Sequence, residues 1–186
     1  MDILEQLKHY RPYNPQEAAD RAEMLRRLEQ KEPLFSRDNL SAHFTASAWV
    51  VSPDRSKVLM AHHNLYNSWA WLGGHADGEQ DLLSVALREV REESGLTDLR
   101  PVSQDIYSLE ILPVSGHWKH GQYIPSHLHF NVTYLLEADP TAPLRHRPGE
   151  NSAVAWFTPT EAVAASSEPW FQEYIYTKLN KKFVES

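Results

Sequence analysis

Residues 74–96 read Gly74-His-Ala-Asp-Gly-Glu-Gln-Asp-Leu-Leu-Ser-Val-Ala-Leu-Arg-Glu-Val-Arg-Glu-Glu-Ser-Gly95-Leu96. Within this stretch Leu83, Leu87 and Val90 recur at helical spacing, which predicts a helix from Asp81 to Ser94 with those three on its buried face. At about 100° per residue, Glu92 and Glu93 fall roughly 60° and 40° either side of Glu89, away from the apolar face. Three carboxylates so close repel one another unless a cation or water screens them. A glycine-bearing loop precedes the helix and Gly95 closes it, a frame suited to presenting acid at a loop-lined cleft. Oxygen ligands of this kind suit Mg²⁺ or Mn²⁺. On spacing alone, a solvated acidic helix face is the commoner explanation of the pattern.

Outward from this helix, Trp69-Ala70-Trp71-Leu72 forms a short extended approach to the loop. Upstream, Ala42 to Val51 is strand-like, and a Ser52-Pro53-Asp54 turn leads to a second short strand from Lys57 to His62, so the two suggest a hairpin. Downstream strands are expected over Val102 to Pro113, His127 to Glu137 and Ala153 to Phe157, with a loop carrying Gly116 and Gly121 between the first two. Helices are expected over Pro159 to Ala165 and Pro169 to Lys182. The N-terminus reads as helical to about residue 31, broken near Pro12 and Pro15, with Ala18, Ala22, Leu25 and Leu28 at helical spacing. Pro33 and the polar Ser36-Arg37-Asp38-Asn39 then mark a boundary. The expected organisation is an N-terminal helical extension over 1–40, serving packing or a lid, and a main domain over 41–186. Strands and helices mix without regular βαβ alternation, which points to an α+β or α/β/α arrangement around a mixed sheet.

Composition narrows the function classes. The 186 residues suffice for one domain with a real core, and the 41% hydrophobic and 23% charged fractions are ordinary for a soluble protein. No apolar run approaches the roughly 18 residues of a membrane span. The start, Met1-Asp2-Ile3-Leu4-Glu5, lacks a basic region followed by an apolar stretch, so no secretory signal is expected. The absence of cysteine excludes disulfides, thiolate metal sites and cysteine nucleophiles, and fits a cytoplasmic protein. A net charge of -7 without a basic block disfavours duplex nucleic acid. A small anionic substrate remains compatible if a divalent cation stands between it and the carboxylates.

The order of residues in the quoted stretch resembles the Nudix box: Gly, five residues, Glu, seven residues, then Arg-Glu-apolar-any-Glu-Glu-any-Gly-apolar. Gly74 matches the first glycine, and Arg88-Glu89-Val90-Arg91-Glu92-Glu93-Ser94-Gly95-Leu96 matches the second half at every defined position. The wider resemblance runs from about Ala42 to Ala165 and implies the Nudix α/β/α sandwich. It further implies that Glu92 and Glu93 hold a divalent metal, that Glu89 is another ligand or the general base, and that Arg88 orients a glutamate through a charge-assisted hydrogen bond. The activity implied is attack of water on a diphosphate in a small-molecule phosphoanhydride. Glu150, in the Pro148-Gly149-Glu150 turn, is the acid from a later loop that such sites often add. Family members are often dimers, which makes a homodimer an expectation by analogy. One box position departs: Gln80 stands where the first glutamate falls, keeping an acceptor oxygen but losing the charge, with Glu79 or Asp77 placed to compensate.

Outside the box, Trp69 and Trp71 face one side of an extended strand, placed to stack on a base or, more commonly, to pack in the core. His127 and His129 share one side of their strand, as phosphate contacts or metal ligands would. His62, His63, His75 and His117 lie in regions that border a cleft, although no three-ligand zinc spacing is evident in the sequence. Lys119 and His120 sit in a loop poor in acid and are placed to offset a negative substrate. Two further functions compete with hydrolysis. One is a weakly catalytic binding or regulatory module, which Gln80 alone encourages. The other is a diphosphate isomerase on the same fold, disfavoured because those isomerases typically rely on a cysteine.

Overall fold

The computed structural model describes residues 2–119 and 121–184. In chain order the elements are α1 (Ile3–His9), α2 (Pro15–Glu29), β1 (Ala42–Val51), β2 (Val58–His63), β3 (Ser68–Ala70), β4 (Leu72–His75) and α3 (Leu82–Ser94). There follow β5 (Arg100–Pro101), β6 (Ser108–Val114), β7 (His117–Lys119), β8 (Gln122–Ile124), β9 (His127–Glu137), β10 (Asn151–Phe157) and α4 (Pro159–Ala165). A π-helical turn (Phe171–Tyr176) runs into α5 (Thr177–Val184). The expected mixture of α and β is present, and the chain forms two compact units, each assembled from three segments.

The first unit comprises Met1–Ser47, Gly73–Ala86 and Ser103–Tyr134. Here β9 alternates, with His127, His129, Asn131 and Thr133 on one face and Leu128, Phe130, Val132 and Tyr134 on the other. Its polar face is largely buried too, so those groups need partners. Asn131 accepts hydrogen bonds from Thr45 Oγ1 at 3.0 Å and Ser47 Oγ at 2.9 Å, and donates to Glu110 at 3.1 Å. Ser108 Oγ lies 2.6 Å from Glu110 and 2.9 Å from Glu17, both fully buried. Glu17 also accepts from Tyr10 Oη and the Tyr13 backbone N–H, each at 2.7 Å. Burial and the Glu17 carboxylate push the Tyr10 phenol well above its ordinary value.

This network reorients α2. The alanine and leucine spacing predicted the buried stripe, yet Ala18 and Ala22 are exposed while Glu17 and Met24 are buried. A satisfied carboxylate has displaced the apolar pattern as the packing face against β6. Asn14 caps α2 by accepting from the Glu17 backbone N–H, and Pro15 occupies the first turn, which explains the predicted break. Strands β6 and β9 pair antiparallel, Ser108 opposite Thr133 through Val114 opposite His127. The stretch expected as a loop around Gly121 instead contains the β7–β8 hairpin, with Trp118 opposite Tyr123. Gly73 is required by close approach: a Cβ there would lie 2.5 Å from the Ala46 carbonyl oxygen.

The second unit comprises Ala48–Leu72, Leu87–Val102 and Leu135–Ser186. Its strands follow the order β10-β2-β1-β9-β5, with β3 on β2. The predicted hairpin is present: β1 and β2 pair antiparallel at Val51 and Val58, closed by the Asp54 turn. The backbone N–H of Leu128 donates to Ser41 and that of Ala138 to Val51, ten residues further along each chain, so β1 and β9 run parallel and the sheet is mixed. The strand expected over Val102 to Pro113 begins only at Ser108, as β6, and the two-residue β5 precedes it, the two parted by a turn in which Ser103 and Asp105 bond one another. Trp49 stacks on Tyr176 at 5.4 Å in the core of this unit. Among the described residues no helix is long and apolar enough to cross a membrane.

Candidate active site

Helix α3 begins where Asp81 accepts hydrogen bonds from the Ser84 backbone N–H at 3.2 Å and the Ser84 hydroxyl at 2.7 Å. It ends at Gly95, whose φ of +75° is the left-handed conformation that glycine adopts at helix C-termini. A Cβ at Gly95 would also press on Arg145 Cβ at 3.1 Å. The buried face is rotated from the expected one: Leu82, Val85, Ala86 and Val90 are buried, whereas Leu83 and Leu87 are half-exposed. Glu93 turns inward with them, only 5% exposed, so the carboxylates do not all point outward as spacing suggested. The difference arises because two consecutive glutamates cannot share one direction on a helix.

The second half of α3 displays the remaining acids to Arg147. Arg147 Nη1 lies 2.7 Å from Glu92, 3.1 Å from Glu150 and 3.9 Å from Glu89. Arg88 donates to Glu89 at 2.8 Å, the orienting contact expected of it. Glu89 is the more enclosed acid, its side chain 12% exposed against 41% for Glu92. Glu150 therefore does come together with the box glutamates, as anticipated. Arg147 was missed, and the available signal was the basic Arg145-His146-Arg147 run just before the Glu150 turn. Beside it, the backbone N–H of Asn64 donates to the Glu150 carbonyl, and burial lowers the His63 pKa against the opposing charge of Glu150.

The other anticipated residues are dispersed. Gly74 lies within β4, and Gln80 is exposed just before α3. The two proposed compensators are engaged elsewhere: Asp77 pairs with Arg37 at 2.5 Å, and Glu79 accepts from the Asp81 backbone N–H at 2.9 Å. Trp69 packs edge-on against His62 and Phe157, and Trp71 against Phe171 and Tyr176, so both indoles contribute to packing. Lys119 ends β7, and His120 lies outside the described residues. Exposed aromatic pairs lie elsewhere, Trp118 with Tyr123 on the β7–β8 hairpin and Trp170 with Tyr174. His127 and His129 do share a side of β9, their Nε2 atoms 3.2 Å apart.

Burial, reinforced by the imidazoles of His75, His43, His127 and His117, pushes the His129 pKa down to about 2, and burial lowers His43 as well. Unfolding returns both to the ordinary imidazole value, so the unfolded chain takes up protons that the folded chain refuses. Stability is therefore whole above about pH 6.5 and declines as pH falls from there. The expected slope reaches about 1.4 kcal/mol per pH unit for each such histidine. Urea unfolding of metal-free protein between about pH 7 and 5 reads it. A flat stability over that interval contradicts it.

The NUDIX domain pattern matches residues 42–179, about three quarters of the chain. The chain belongs to the NUDIX family. With the Arg-Glu-x-x-Glu-Glu segment of the box intact, it is a Nudix-type diphosphohydrolase. Solved structures share this fold. The chain is similar to the C. elegans Ap4A hydrolase in a binary complex, with a TM-score of 0.54, 18% identity, and 76% of this chain and 95% of that one covered. The E. coli dihydroneopterin triphosphate pyrophosphohydrolase gives a TM-score of 0.55 at 14% identity, covering 77% and 96%. A Nudix hydrolase from M. smegmatis, RenU, gives 0.57 at 16%, covering 77% and 86%. No curated protein matches the chain. Within the NUDIX frame, Gly74 and Gly95 bracket the box, and Arg88, Glu89, Glu92 and Glu93 form its charged segment.

Proposed function

We propose that this chain hydrolyses a phosphoanhydride bond in a nucleoside-diphosphate-linked or related small molecule, using Mg²⁺ or Mn²⁺. The observation that carries the reading is the gathering of Glu89, Glu92 and Glu150 around the single positive charge of Arg147. That charge stands where carboxylates of this donor set would hold a hard divalent ion, and Glu93 adjoins them on the same helix. Bound there, the ion neutralises phosphate charge and lowers the pKa of water. Glu89 is the enclosed carboxylate that takes the proton of the attacking water, and Arg88 keeps it oriented. Arg147, released from the acids, is free to pair with a substrate phosphate. Two of the structural neighbours are named for hydrolysis of Ap4A and of dihydroneopterin triphosphate, both polyphosphate compounds, which supports the class. In the same reading 41–186 is the hydrolase domain, 1–40 its helical extension, and the protein acts in the cytoplasm.

Incubation of the metal-loaded protein with a panel of diphosphate compounds, with products resolved by mass, tests the proposal. Turnover of at least one member is expected, and none with any member overturns it. Arg147→Ala removes the competing cation, so Mg²⁺ affinity without substrate should rise a few-fold, in keeping with the roughly 0.2–1 kcal/mol of such exposed pairs. Weaker binding by calorimetry would count against the arrangement. Gln80→Glu should change kcat/KM by less than about threefold, because the exposed Gln80 is not among the acids around Arg147. A rescue of a hundredfold would instead mark the natural protein as a catalytically weak binding module.

A further inference from the structure

Four imidazoles meet within the first unit, on neighbouring strands and one shared face. His43 lies on β1, His75 ends β4, and His127 and His129 lie on β9. One ring nitrogen from each of His43, His75 and His129 falls within 4.8 Å of the other two. The His43 ring centroid is 5.2, 4.9 and 5.1 Å from those of His75, His127 and His129. Packing alone is a poor explanation, because phenyl rings would fill this space without burying lone pairs.

The protons are arranged for coordination. His43 Nδ1 faces the Asn39 carbonyl at 3.2 Å, and His127 Nδ1 faces the Pro125 carbonyl at 2.9 Å. A carbonyl only accepts, so both rings carry their proton on Nδ1 and keep the Nε2 lone pair, which in His127 meets His129 Nε2 at 3.2 Å. Backbone carbonyls commonly fix metal-binding histidines in this tautomer. His43 is 4% exposed, and its Nε2 is buried without a hydrogen-bond partner among the described residues. An unsatisfied buried acceptor costs about 1–3 kcal/mol, which an electrophile at that point would remove. The 3.2 Å between the Nε2 atoms of His127 and His129 is close to the roughly 3.3 Å edge of a tetrahedron with metal–nitrogen bonds of about 2.0–2.1 Å.

We propose that His43, His75 and His129, with His127 beside them, bind one divalent transition-metal ion of the zinc class. No carboxylate joins this group among the described residues, and an all-imidazole set selects Zn²⁺, Co²⁺, Ni²⁺ or Cu²⁺ over Mg²⁺. The site goes beyond the hydrolytic reading, since it shares no ligand with the box.

Co²⁺ titration of the full chain, followed by its visible d–d absorption, tests the proposal. One equivalent should develop an intense tetrahedral-type spectrum that Zn²⁺ abolishes and excess Mg²⁺ leaves intact. Glu92→Gln/Glu93→Gln should retain the spectrum. His75→Ala should weaken Co²⁺ binding by on the order of a hundredfold. Because His129 lies in the core strand, His129→Gln serves there, with circular dichroism confirming its fold, and it should lose the spectrum likewise. Absence of the spectrum in the natural protein overturns the proposal. So does a spectrum that survives both histidine changes, or one lost in the double glutamine variant, which would place the ion at the box. The double variant also separates the readings: it loses hydrolysis if the box is catalytic, whatever becomes of the Co²⁺ spectrum.

Discussion

Glu93→Gln should lower kcat/KM by on the order of a thousandfold while leaving the fold intact. Glutamine has nearly the same shape, so helix α3 keeps its packing, and a buried charge is exchanged for a neutral amide. What disappears is a negative oxygen at the proposed metal-binding end of the box. Metal neutralisation of a phosphate transition state is worth several kcal/mol, and about 4 kcal/mol corresponds to that rate loss. The loss should appear mainly in kcat at saturating metal, with circular dichroism confirming the fold. A loss below tenfold would mean that Glu93 serves packing and that hydrolysis draws on other ligands.

Glu17→Ala should destabilise the protein by about 3 kcal/mol without touching the box. The substitution removes the acceptor used by Tyr10 Oη, the Tyr13 backbone N–H and Ser108 Oγ, and both Glu17 and Ser108 are fully buried. Each interrupted buried hydrogen bond costs about 1–3 kcal/mol, lessened here because Tyr10 also faces the Tyr107 carbonyl and Ser108 also reaches Glu110. Urea unfolding followed by fluorescence reads the change through its midpoint. Stability within 0.5 kcal/mol of the natural protein would show that the N-terminal helices dock by other means.

The chemistry was legible in the sequence because it is local. Arg88 to Gly95 lie within about two helical turns, so their order alone fixes which acids share an end of α3. Long elements rich in aromatic and branched residues were equally readable: β1 from Ala42 to Val51 and β9 from His127 to Glu137 have the extents that their patterns predict. Polar burial was not readable. Glu17 and Glu93 both lie inside, Glu17 because hydroxyls and a backbone N–H receive it, and hydrophobic periodicity counts both as surface. Arg147 reaches Glu92 across 55 residues of chain, a contact that only the folded β10 approach creates. The histidine cluster required knowing that β4 and β9 both flank β1, since none of its spacings resembles a metal motif.

The claim beneath all of this is that the box carboxylates bind the ion that drives hydrolysis. Electron paramagnetic resonance of free Mn²⁺, titrated with the natural protein and with Glu92→Gln/Glu93→Gln, addresses it most directly. The natural protein should quench the free-ion signal as a site fills, and the double variant should leave it nearly unchanged at the same concentrations. Equal quenching by both proteins, or none by the natural one, would contradict the account.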